Sequence, residues 1–395
     1  MYIEKNTALY YNIIIKTKFV NIKIVYEGEK IMKTLLLGDT APVYATKEAF
    51  RAKETEKLFT NVLPYMKDKD FCFVNLECAL TESTGNIKKF GPNLAAPLVT
   101  AEVLKEVGVD LCGLSNNHTF DLGVQGIKDT LDALDRVGIA YTGWGKNYED
   151  SRRDYIVERD GQKIAFITVC EHEYSYALEN RMGARPYDEY DTMEDIRKAK
   201  ETADRVIVIY HGGKEYCRYP SPRLLKLCRA MAKNGADVVI CQHSHCIGCY
   251  EMYEGCHILY GQGNFHFVNP NSNEEGWFTS LGVKYDTKSH EIEFTPIRAL
   301  DCGIALAEGE DAKEIMAGFE KRNAELQSGE WKDGWHAFCV ERSELYVQVL
   351  SRAYTKEATQ EETDIFGHFL DCEAHTDVWR ELNKTYNHTN CLDEV

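Results

Sequence analysis

From Lys33 onward, short apolar runs alternate with stretches in which apolar residues recur every three to four positions. The runs TLLLGD (34–39), FCFVNLE (71–77), VDLCGLS (109–115), KIAFITV (163–169), RVIVIYH (205–211), DVVICQH (237–243) and HILYGQ (257–262) read as strands. Between them, TKEAFRAKETEKLF, TAEVLKEVG, VQGIKDTLDALDRVG and SPRLLKLCRAMAKNG have Ser, Thr or Pro starts, Gly stops and helical spacing. This alternation predicts an α/β core. After about residue 305 the pattern turns to charged, Trp-bearing helical segments such as EDAKEIMAGFEKRNAELQ and AHTDVWRELNK, which predict a helical C-terminal appendage.

The first thirty-one residues are rich in Ile, Lys, Asn and Tyr and lack capping or turn signals. Glu-Gly-Glu-Lys just before Met32 back-translates to a purine-rich stretch like a ribosome-binding site. We therefore expect 1–31 to be translated leader or disordered, 32–304 to be the main domain and 305–395 to be the helical extension.

Composition narrows the function classes. A formal charge of −17 disfavours a nucleic-acid partner, which needs a basic face to displace counterions from phosphates. No apolar stretch is long enough for a membrane span, and no signal-peptide pattern opens the chain. A cytoplasmic protein without a membrane anchor is expected. The 14 cysteines are scattered, several inside strand runs, so reduced packing thiols are expected rather than a disulfide framework.

The chemistry collects at strand ends, where open α/β sheets bind ligands. In chain order these ends offer Asp39; Asn75 and Glu77; Asn116, Asn117, His118 and Asp121; His211; and His243 with His245. Such side chains are hard or borderline ligands for a divalent ion. Each alone has a plain structural reading as a cap, a turn or a surface imidazole; their joint placement is what points to one site. If CQHSHC (241–246) continues the preceding strand, His243 and His245 face the same side, with Cys241 and Cys246 as packing thiols. Lys214, Arg218 and Arg223 are candidates for a cationic rim around an anionic substrate, and Asn264, in Gly-Gln-Gly-Asn-Phe, is a candidate pocket residue. His172, His257 and His266 fit no ligand position.

The elements GD (38–39), NLE (75–77), NNHTFDLGVQGIKDTLDALDRVGI (116–139), HGGKEYCRYPS (211–221) and GADVVICQHSHCIGCYEMYEGCHILYGQGNF (235–265) together resemble the bacterial capsule-synthesis CapA family, named for poly-γ-glutamate capsule formation. That family is similar in turn to calcineurin-like metallophosphoesterases and 5′-nucleotidases. The resemblance covers about residues 33 to 270 and implies a metallophosphoesterase-like two-sheet sandwich flanked by helices.

It further implies that Asp39, Asn117, His211, His243 and His245 hold a divalent metal (Mn, Zn or Fe; one or two ions). His118 would be the general acid, with Asp121 orienting it, and Asn75, Asn116, Lys214, Arg218 and Asn264 would line the substrate site. Ala41 stands where the phosphoesterases have a His, and no bridging Asp is present unless Glu77 replaces it, so one firmly held ion is expected. The implied activity is hydrolysis of a phosphoester or a glutamyl-type amide, on a small anionic substrate or a glutamyl polymer. The rival expectation is a non-catalytic accessory that binds an anionic polymer or a synthase partner.

Overall fold

The strand Lys33–Thr40 shows how the main unit is layered. Its side chains alternate between faces: Leu36 enters an apolar cluster with Phe73, Leu111, Phe166, Ile207 and Ile240, whereas Leu35 and Leu37 join a second cluster with Phe50, Leu58, Leu104 and Leu134. The first cluster draws on strands of two different sheets and is the interior of a sandwich. The second lies between one sheet and its helices. Both faces of the central parallel strands are therefore apolar, which is why those strands read as continuous hydrophobic runs.

These features belong to a computed structural model that describes residues 11–15, 18–22, 32–159, 161–171 and 173–387. The chain divides into two units, Met1–Ile31 and Met32–Val395. In the first, Tyr11–Ile15 pairs antiparallel with Lys18–Ile22. The leader expectation for 1–31 otherwise lies outside the described residues, as does His172.

In the second unit, one sheet runs Gly303–Leu306, Glu291–Leu300, Thr279–Asp286, Lys33–Thr40, Phe71–Leu76, Leu111–Gly113 and Ala140–Thr142, with Asn264–His266 also paired to Lys33–Thr40. The other runs Tyr155–Arg159, Gln162–Cys170, Arg205–His211, Val238–Gln242, Cys256–Leu259 and Tyr250–Tyr253. The central strands of both are parallel. The two-sheet sandwich flanked by helices is thus as expected. Of its strands, the long antiparallel pair Thr279–Asp286 and Glu291–Leu300 was not predicted.

Helices end where the sequence signals them. Ser221 caps Pro222–Lys233 by accepting from Leu224 N at 3.0 Å. Gly138 closes Gly123–Val137 in the left-handed conformation. The stretch 46–59 departs from expectation: it breaks into Lys47–Arg51 and Thr55–Phe59, with Lys53 between them at φ 56°.

Five helices, Gly309–Ser328, Trp331–Glu341, Ser343–Arg352, Gln360–Asp371 and Glu373–Asn387, form the C-terminal segment. Trp331, Trp335, Tyr346, Phe369 and Val378 from these helices share one apolar cluster with Val206, Val208 and Val239 of the second sheet. Arg223 adds a polar tie, reaching Asp377 at 2.9 Å and Glu171 at 2.8 Å. Among the described residues every cysteine is a free thiol, and no helix is long and apolar enough to cross a membrane.

Candidate metal centre

The parallel strands of both sheets end at one place. Asp39 lies near the end of its strand, Asn75 and Glu77 at the end of the next, and Asn116, Asn117 and His118 follow Leu111–Gly113. From the second sheet come His211, the last residue of its strand, and His243 and His245, just past Val238–Gln242. Glycine permits the convergence. A Cβ at Gly38 would lie 2.2 Å from Gly263 O, so only a residue without one lets the Gln262–Asn264 turn approach and pair Asn264 with Asp39.

Two groups of ligand-type atoms share one carboxylate. Asp39, Glu77 and His211 form one, and Glu77, His243 and His245 the other, each with its atoms within 4.8 Å of one another. His211 Nε2 lies 3.4 Å from Glu77 Oε1 and its Nδ1 3.6 Å from Asp39 Oδ1. His211 Nε2 is also 2.8 Å from Asn117 Oδ1. His245 Nδ1 lies 3.8 Å from Asp39 Oδ2 and 2.8 Å from Asn264 Oδ1.

Asn75 and Asn116 stand behind this shell. Asn75 donates to Asp39 Oδ1 at 2.7 Å and accepts from Asn116 Nδ2 at 3.1 Å. Asn116 also bonds Leu76 O and the backbone N–H of His118, so it fixes the loop that carries Asn117 and His118.

Glu77 is the electrostatic centre. It is fully buried, yet neither oxygen accepts a hydrogen bond from the protein. Burial first, and Asp39 second, hold its carboxyl well above the ordinary range. Burial likewise lowers His211 to about 4, so its imidazole is neutral and able to ligate. Two adjacent acids beside three buried imidazoles are the donor set that a divalent cation satisfies.

His243 and His245 reach the site differently from expectation. The strand stops at Gln242, and both residues have left-handed backbones, φ 83° and 55°. Strand alternation therefore does not bring them together; two strained turns do, a backbone state that persists only where the surroundings impose it. The neighbouring thiols take no part. Cys241 Sγ lies 3.5 Å from Cys228 Sγ, and Cys246 Sγ donates to Cys217 O.

A cavity of about 550 Å³ opens over the site, lined by Asn117, His118, Lys214, His243 and His245 among others. Asp39, Glu77 and His211 lie beneath it. Arg218 does not line it and pairs with Glu275 at 3.5 Å; Arg223 is engaged with Glu171 and Asp377. Of the three cations expected at a rim, only Lys214 faces the cavity.

His118 Nδ1 lies 2.6 Å from Asp121 Oδ2, and Asp121 is fixed in turn by Leu94 N. The sequence reading misses Lys89, whose side chain is almost wholly buried, lines the cavity, bonds Asp121 Oδ1 and lies 3.1 Å from His118 Nδ1. Its loop, KKFGP, has no periodicity that would mark one lysine as buried. Burial, then the Lys89 ammonium, lower His118 to about 4, so its resting ring is neutral.

A family model described as "Bacterial capsule synthesis protein PGA_cap" matches residues 33–269. The chain belongs to this family. The family region contains every residue of the converging strand ends. The capsule biosynthesis protein CapA of Bacillus anthracis is 31% identical over 260 residues, 64% of this chain and 62% of that protein. The PGA biosynthesis protein CapA of Bacillus subtilis is 29% identical over 287 residues, 70% and 73% of the two chains. The chain thus spans less than two thirds of the Bacillus anthracis relative. A 5′-nucleotidase structure from Candida albicans superposes with a TM-score of 0.39 and 8% identity, covering 86% of this chain and 60% of that one, too distant a likeness to argue from.

Proposed function

We propose that this member of the capsule-synthesis family is a metal-dependent hydrolase of a phosphoester or a glutamyl-type amide, acting in poly-γ-glutamate synthesis in the cytoplasm. The observation that carries the reading is Glu77, a buried carboxylate without a hydrogen bond, shared by two groups of ligand-type residues. Asp39, Glu77, Asn117, His211, His243 and His245 would hold the metal, of the Mn, Zn or Fe class. Glu77 is common to both groups, which supports a second ion beside the firmly held one expected from sequence. When bound, such an ion supplies a Lewis acid and a water of lowered pKa.

The chain's own residues do the rest. Asp121 holds His118 by accepting from Nδ1, and Lys89 steadies that carboxylate, which leaves Nε2 as the ring nitrogen for the leaving oxygen. An anionic substrate in the cavity would raise the His118 pKa from its resting position. Lys214 offers the substrate a cation, and Asn75 and Asn116 position the loop instead of touching substrate.

A second reading, a non-catalytic accessory that binds a glutamyl polymer or a synthase, is favoured by Ala41, a fully buried methyl where the phosphoesterases have a ligand. Metal analysis by plasma mass spectrometry separates the two, with the double variant His243→Ala, His245→Ala alongside. Less bound transition metal in the variant than in the native protein, together with turnover of phosphoesters or γ-glutamyl amides by the native protein, is expected. Protein that takes up neither Mn nor Zn would leave the accessory reading in its place.

A further inference from the structure

The C-terminal helices carry a second group of metal-ligating side chains. His368, Cys372 and His375 each offer a ligand atom within 4.8 Å of the others, and all three line the cavity described above. None belongs to the converging strand ends. The sequence pattern is His-x-x-x-Cys-x-x-His. His368 lies in Gln360–Asp371, Cys372 caps it, and His375 falls in the first turn of Glu373–Asn387. Positions four apart on one helix lie one above the other, so His368 and Cys372 share a face, and the chain turns at Cys372 to bring His375 beside them.

The surroundings suit ligation. Cys372 and His375 are buried, and His368 is half-buried against Phe90 and Tyr174. Tyr346 Oη lies 2.7 Å from His375 Nδ1; accepting that ring proton, it leaves the lone pair on Nε2, as an outer partner of a ligating imidazole does. A tetrahedral ion with Zn–N and Zn–S bonds of ordinary length needs its ligand atoms roughly 3.5 Å apart. The group must therefore close by up to about 1.3 Å, within reach of small side-chain rotations. The plain alternative is an aromatic stack, since the Phe369 and His375 rings lie 3.9 Å apart. A stack alone does not account for a buried thiol whose sulfur lies within 4.8 Å of a ring nitrogen of both imidazoles.

We propose that His368, Cys372 and His375 form a second metal site, for a zinc-class ion, in the helical wall of the cavity, with its fourth position open to that cavity. Two imidazoles and a thiolate select a borderline or soft ion over Mg or Ca. The Cys372 thiol proton passes to solvent as the Zn–S bond forms. Three protein ligands with an open position are the arrangement of zinc sites that bind water or substrate rather than closed structural ones. The inference rests on residues separate from the first site and stands whether or not that site is catalytic.

The test is titration of the metal-free full-length protein with cobalt(II), followed by near-ultraviolet absorption. A thiolate–cobalt charge-transfer band reports on Cys372, because the first site has no sulfur ligand. The band is expected in the native protein and in the His243→Ala, His245→Ala double variant, and is expected to vanish in Cys372→Ser. His368→Ala should weaken cobalt binding roughly tenfold or more. Circular dichroism checks the fold of each variant, and His368→Ala, altered at the half-buried member, decides if Cys372→Ser does not fold. No band in the native protein, a band unchanged in Cys372→Ser, or cobalt affinity unaltered in a folded His368→Ala would each overturn the proposal.

Discussion

His118 Nδ1 and Asp121 Oδ2 are 2.6 Å apart in a pocket that excludes water from Asp121 altogether. The carboxylate fixes the ring and has no access to the cavity itself. His118→Ala should lower turnover by about 10²–10⁴-fold, the usual size of a general acid–base contribution, while metal content stays level. Asp121→Asn should have the smaller effect. Single-turnover rates beside metal analysis check this, and an undiminished rate in His118→Ala removes His118 from the chemistry.

Glu77 should trade stability against metal affinity. Its buried carboxyl is opposed by burial and by Asp39, so Glu77→Gln relieves the metal-free fold and weakens the loaded one. Thermal unfolding with and without chelator reads both. The variant should melt at or above wild type when metal-free and below it when loaded. A lower melting point in both states would show that Glu77 acts only as a structural residue.

Arg223 joins Glu171 on the sheet side to Asp377 on the last helix, with those carboxylates almost wholly buried. Removing one member of a buried ion pair costs roughly 3–5 kcal/mol. Arg223→Ala should lose about that much in urea unfolding and open the C-terminal helices to limited proteolysis. Arg223→Lys, which keeps the charge but not the forked geometry, should fall between.

Acid should weaken the fold through buried imidazoles. Burial holds His266 at about 4 against an ordinary 6.5, while its Nε2 bonds Leu58 O and its ring packs on Phe50 and Phe59. Between those two values the unfolded chain binds the proton and the folded one does not. The contribution is complete above about pH 6.5 and is lost as pH falls toward 4, at up to about 1.4 kcal/mol per pH unit. His266→Gln should flatten the slope of stability in that window, measured by denaturant titration at several pH values. An identical slope would mean that His266 does not contribute.

The strand-end residues were legible because each is a polar residue closing an apolar run, and runs such as Arg205–His211 are buried on both faces. What brings His243 and His245 together was not, because left-handed turns at non-glycine residues have no local sequence signal. Lys89 was hidden for a related reason: its burial depends on Asp121, a contact of loop with loop. The His-x-x-x-Cys-x-x-His spacing is present in the sequence, but nothing local distinguishes it; only the fold sets it against the cavity. Glu77 could be named from its place after a strand; that two triads share it is a property of how the two sheets meet.

The family match ends at residue 269, whereas Trp331, Trp335, Tyr346 and Phe369 seal the outer face of the second sheet. The matched region is thus a unit of family likeness but not a unit of folding. A shortened chain ending there would lay bare a broad apolar face and self-associate, so recombinant work on this protein should keep the helices through Asn387.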